Sequence, residues 1–127
     1  MAVRAVRGAI QLERDDKMLL LDAVKELFQE VLDANGLDRE SLISVIFTST
    51  PDLRCGFPAV AVRELGLSDV PLMCAQELDI QGALPRTVRL LLHVDTVRAK
   101  SEIRHVYLGG AAALRRDLAP LAAGAAA

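Results

Sequence analysis

Apolar and polar positions alternate along Val3–Ile10, "VRAVRGAI". Val3, Ala5, Arg7 and Ala9 fall on one face; Arg4, Val6, Gly8 and Ile10 fall on the other. This period of two predicts a strand, and it gives Arg7 small and apolar neighbours. The period lengthens across Asp15–Gly36. Leu20, Val24, Leu27, Val31 and Leu32 recur at helical spacing, with Asp22, Lys25, Glu26, Gln29, Glu30 and Asp33 opposite them. Asp15 or Asp16 is suited to cap the free N–H groups of this helix, and Gly36 to take the left-handed position that stops it. "LDRESL" reads as a turn or short helical turn. "ISVIFTST", Ile43–Thr50, is β-branched and ends in hydroxyls, as a buried strand does. Pro58 at a first helical position and Gly66 beyond the end bound a short helix in "FPAVAVRELG".

A strand is predicted from about Val70, and it carries Cys74, Gln76, Glu77 and Asp79 toward its end. "RTVRLLLHVDT", Arg86–Thr96, alternates, with Val88, Leu90, Leu92 and Val94 on one face. "EIRHVYLGG", Glu102–Gly110, predicts a last strand with Ile103, His105 and Tyr107 together. "AAALRRDLAP" predicts a helical turn, and the alanine-rich end is expected to fray. The order β-α-β-α-β-β-β predicts an α+β (α/β-like) fold with a single mixed sheet and helices on one face. No internal repeat or domain boundary interrupts it. One domain is expected over 1–118, followed by a low-complexity tail at 119–127.

Composition sharpens this picture. The 127 residues are 52% hydrophobic and 25% charged, which excludes a disordered chain. Only 3% are aromatic and none is tryptophan, so the core must be aliphatic. A domain this small buries a modest share of its surface, which favours association. The net charge of −2, without a basic block, argues against nucleic-acid or anionic-membrane partners. No signal peptide is read at Met1, and no apolar run approaches the roughly 18 residues of a membrane span. A cytoplasmic location is therefore expected. Twelve arginines against three lysines fit a composition bias more than a function, although the guanidinium fork suits carboxylates.

Motifs for nucleotide, metal or serine chemistry are missing from the sequence. Cys55 and Cys74 have neither metal spacing nor a disulfide framework, and a free cysteine is usually a small buried hydrophobe. His93 and His105 read as hydrogen-bonded structural groups. What remains is a set of polar residues on strands: Arg7, Glu77, Arg89 and Tyr107. If they converge, two guanidinium forks and a phenol could hold a small anion. Spacing alone does not show that they converge.

Several blocks carry a resemblance: "RGA" (Arg7–Ala9) with "ERD", "TPDL" (Thr50–Leu53), "FPA.AVREL" (Phe57–Leu65), "VP..C.QE.D" (Val70–Asp79), "IRHVYL" (Ile103–Leu108) and "LR.DL" (Leu114–Leu118). In this order, from about residue 3 to residue 118, the chain resembles the monofunctional chorismate mutases of the AroH type. The resemblance implies a homotrimer whose sheets form a pseudo-α/β-barrel, with active sites between subunits. It implies the Claisen rearrangement of chorismate to prephenate, a shikimate-pathway step of aromatic amino acid biosynthesis. No cofactor or metal is needed for that reaction.

The resemblance implies the following roles, residue by residue. Arg89 matches the arginine beside the ether oxygen, and Arg7 the arginine that grips a carboxylate. Tyr107 assists Arg7, and Glu77 accepts from the ring hydroxyl. Cys74 joins the same polar contact, and Met73 precedes it. Phe57 and Ala59 match residues that wall the ring from the neighbouring subunit. Leu114 closes the apolar side, and Arg63 and Arg115 stand at the rim. Cys74 and Glu77 are three apart, so they can share a site only if the strand ends or bulges between them. Two departures stand out: Val60 where the family often has lysine, and Met73 where some members have threonine. The alternatives are a trimeric binding or regulatory protein without catalysis and an imine deaminase of the Rid type.

Overall fold

The N-terminal alternation becomes β1, Ala2–Gln11. The computed structural model describes the backbone of residues 1–118 and the side chains of residues 1–113. Next comes α1, Lys17–Asn35. Asp16 caps it by accepting from the Leu19 N–H at 3.0 Å, and Gly36 ends it at φ 59°, in the left-handed region. Then follow β2 (Leu42–Ser49), α2 (Pro58–Glu64), β3 (Leu72–Gln76), β4 (Thr87–Thr96) and β5 (Val106–Leu108). Short 3₁₀ segments cover Arg39–Ser41, Lys100–Glu102 and Gly109–Leu118. The expected tail at 119–127 and the side chains of Leu114 and Arg115 lie outside the described residues.

The five strands form one mixed sheet in the order β3-β2-β4-β1-β5. β4 runs antiparallel to both β1 and β2, while β5 is parallel to β1 and β3 to β2. Strand register sorts the side chains into two faces. Val6, Ile10, Val45, Phe47, Val88, Leu90, Leu92 and Val94 face the helices and join Leu20, Val24, Leu27, Phe28 and Val31 of α1 in one core. At Gly8 a Cβ would stand 3.1 Å from both Leu27 and Val31, so glycine lets α1 lie close against β1. A Lys25–Glu64 ion pair of 2.8 Å links the two helices.

The opposite face carries Val3, Ala5, Arg7, Ile46, Thr48, Met73, Ala75, Arg89, Leu91, His93 and Tyr107, all exposed or half-buried. Ala9 and Thr87 lie among them and are buried.

β2 is shifted by one residue and β3 starts at Leu72, later than expected; two further strand boundaries differ for reasons visible in the structure. The last strand was expected over Glu102–Gly110, but Glu102 lies in a 3₁₀ turn and β5 spans only Val106–Leu108. The cause is side-chain competition. Buried Asn35 takes both backbone groups of Arg104, accepting at 2.7 Å and donating at 2.9 Å. His105 Nδ1 accepts the Arg7 N–H at 2.9 Å, a donor that would otherwise serve the ladder. β4 begins at Thr87 and not at Arg86, because Arg86 sits at φ 49°. Its N–H is held there by Asp52 at 3.0 Å, and its Nε donates to the Leu12 carbonyl at 3.0 Å.

Candidate active site

Register decides which predicted residues meet. Arg89 on β4 pairs with Thr48 on β2 and with Ala9 on β1. Ala9 in turn pairs with Tyr107 on β5, and Thr48 with Ala75 on β3. Paired residues project to the same side of a sheet. One row therefore crosses the helix-free face: Ala75, Thr48, Arg89, Ala9, Tyr107. Arg89 and Tyr107 are two strand spacings apart, about 10 Å, a span suited to a small dianion. Arg7 lies one step along the same face, opposite Leu91, and is exposed.

Glu77 reaches this row because β3 stops. Its N–H makes a last bond to the Ser49 carbonyl at 2.9 Å, one residue beyond the strand. The chain then turns through Leu78–Ile80. Glu77 Oε2 accepts from the Thr48 hydroxyl at 2.6 Å and lies 3.2 Å from Arg89 Nε. The Arg89 Nε atom is buried, and it makes no hydrogen bond among the described residues. At 3.2 Å its contact with Glu77 is electrostatic, but the N–H is not aimed at the oxygen. The two side chains differ in exposure, 42% for Arg89 and 16% for Glu77. The guanidinium is thus partly open to a ligand, while the carboxylate is anchored.

The condition on Cys74 and Glu77 is half met. The strand does end between them, yet Cys74 pairs with buried Phe47 and packs toward the core on the helix side. Cys74 lines a cleft of about 300 Å³ with Phe57, Pro58, Arg54, Ala75 and Gln76. Phe57 precedes α2 and is 69% exposed, and Met73 on the helix-free face is 62% exposed. Ala59 is buried in the core, at 3%. Arg63 is exposed and borders a separate hollow with Gly66 and Leu72. Within one chain, then, Glu77 and Arg89 meet, with Tyr107 in their row and Arg7 beside it. Phe57 and Cys74 form a second group, and Ala59 and Arg63 join neither.

Two anchors play parts that the sequence did not show: Asp15, read there as a possible helix cap, and Thr50. Asp15 accepts from the N–H groups of Arg54 and Cys55 at 3.1 and 3.2 Å, which fixes the loop that leads to Phe57. The Cys55 thiol also bonds to Asp15 and holds its carboxyl below the ordinary value. Burial, with Asp15 alongside, pushes that thiol up to about 11. The second anchor joins Thr50, whose hydroxyl bonds to Asp52 and accepts from the Thr87 N–H at 3.0 Å. It locks the β2 end to the β4 start, two residues before Arg89. No cluster of His, Cys, Asp or Glu able to hold a metal occurs among the described residues, and none of their helices is long and apolar enough to cross a membrane.

The family model described as chorismate mutase type I matches residues 3–118. The chain belongs to the type I chorismate mutase family. It is 44% identical over 117 residues to the chorismate mutase AroH of Thermus thermophilus, covering 91% of this chain and 96% of that one. The AroH chorismate mutase of Bacillus subtilis is 40% identical over 119 residues, covering 93% and 94%. A solved chorismate mutase from Clostridium thermocellum superposes with a TM-score of 0.85 at 38% identity, over 87% of this chain and 98% of that one. As a chorismate mutase, the protein is an isomerase, and its polar row can be read against a concerted reaction.

Proposed function

We propose that the chain rearranges chorismate to prephenate on the helix-free face of its sheet, with Arg89 stabilising the transition state. In this Claisen rearrangement one C–O bond breaks as one C–C bond forms, and no proton need move. Catalysis then has two parts. The flexible dianion must be held in its compact reactive conformer, a task for Arg7 and Tyr107 at its carboxylates. The ether oxygen gains negative charge as its bond stretches, and the Arg89 guanidinium offers a fixed positive partner there. Because that charge develops only in the transition state, the interaction raises kcat and not merely affinity. Glu77, anchored on Thr48, is placed to accept from the ring hydroxyl. The observation that carries this reading is the Glu77–Arg89 pair, anchored on one side and 42% open on the other.

The site is completed by a neighbour in a homotrimer. Phe57 is too exposed for a solitary aromatic, and the Phe57–Cys74 cleft lies away from Arg89 in the same chain. A neighbouring copy supplies that apolar wall, with Ala59 contributing through its backbone since its side chain is buried.

Chorismate absorbance, followed with wild type beside Arg89→Ala, tests the reading. Wild type should form prephenate, and the variant should lose kcat by roughly a hundredfold or more. Loss of chorismate in both at equal rates would remove the role given to Arg89. Binding of prephenate with no turnover in the wild type would mark a protein that kept the pocket without catalysis.

A further inference from the structure

The Thr48 hydroxyl lies 2.6 Å from Glu77 Oε2, the length expected of a hydrogen bond to a charged acceptor. Arg89 Nε approaches that same oxygen at 3.2 Å without being aimed at it. This arrangement is not what a carboxylate and a guanidinium choose when left alone. Their preferred geometry is two parallel N–H···O bonds, fork to fork. Glu77 sits just beyond a strand end on a long side chain, so nothing in its own backbone prevents it from turning into that geometry. Were it to do so, it would occupy the donors that a substrate needs.

We infer that Thr48 is a positioning residue that holds Glu77 off the Arg89 fork, so that both present free groups to the substrate. The inference rests on the proposed function above. Thr48 suits the task for three reasons. It is β-branched, so its χ1 is stiff. It lies on a central strand, in register with Arg89. Its single hydroxyl hydrogen goes to Oε2, while Oε1 accepts no hydrogen bond among the described residues.

The test uses Thr48→Val, which keeps shape and β-branching but removes the hydroxyl, and Thr48→Ser, which keeps the hydroxyl. The valine variant should lose kcat about tenfold with KM nearly unchanged, as expected for one charge-assisted hydrogen bond. Its Tm should stay near that of wild type, and serine should restore most of kcat. In a Glu77→Gln background the valine substitution should have no further effect, because no carboxylate remains to close on Arg89. Wild-type kcat in Thr48→Val, an equal loss in Thr48→Ser, or an undiminished loss in the Glu77→Gln background would overturn the inference. A second readout does not depend on turnover. The ¹⁵N-detected Nε–H resonance of Arg89 should move downfield in Thr48→Val as the carboxylate swings onto it. If wild type fails to turn over chorismate, the proposed function falls, and this resonance alone decides the role of Thr48; an unmoved signal overturns it.

Discussion

Asp15 shows how a single side chain can set the course of the loop that carries Cys55. Asp15 titrates below its ordinary 3.8 because the Cys55 thiol and the loop N–H groups bond to it. Its stabilising effect is therefore in force above pH 3.8 and lost as the pH falls through the lowered folded value. The urea midpoint of Asp15→Asn should lie below wild type at pH 7, and the gap should close in acid. Cys55 responds in the opposite sense. A thiol raised from 9.0 to about 11 gives a thiolate roughly a hundredfold scarcer below pH 9. In a Cys74→Ser background, iodoacetamide should label Cys55 slowly at pH 8, and Asp15→Asn should speed labelling without fully restoring it, since burial is the larger cause. Val60 sits half-buried against the core on α2, and a lysine there could extend its ammonium past the core to the surface. Steady-state kinetics of Val60→Lys should show KM lower by a few-fold and kcat unchanged. An unchanged KM would mean that the position does not face a substrate carboxylate.

At the scale of elements, the legible features were those with a local cause. Asp16 and Gly36 bound α1, Pro58 opens α2, and Val88, Leu90, Leu92 and Val94 mark the core face of β4. The last strand was legible only in part, because its alternation persists where its pairing does not. Asn35, sixty-nine residues away, takes the Arg104 backbone groups, and no local window contains that bond. Asn35→Leu should therefore cost about 1–2 kcal/mol in urea unfolding, since it removes two part-buried hydrogen bonds to the Arg104 backbone. The site was legible to the same degree. Arg7, Glu77, Arg89 and Tyr107 stood out as charged or phenolic residues on strands, and all but Arg89 lie within the blocks that carry the family resemblance. The side of the sheet taken by Cys74 depends on β2–β3 register, which the sequence does not display. Thr48 looked like any β-branched strand residue, and only pairing with Arg89 distinguishes it.

For the whole molecule, the decisive property is a sheet covered by helices on one face only. The other face exposes Val3 and Met73 and half-buries Ile46 and Leu91. If three copies cover one another there, sedimentation should give a mass three times that of the chain. Met73→Asp should then shift the population toward monomer, with activity lost in parallel; a fully active monomer would refute a site completed by a neighbour. Position on the sheet also gives Tyr107 a second significance. It is the single tyrosine of a chain without tryptophan, and it stands in the row that contains Arg89. The protein's intrinsic tyrosine emission therefore originates beside the proposed site. Ligand occupancy can be followed by light from that one phenol, with no label attached and no second fluorophore to subtract.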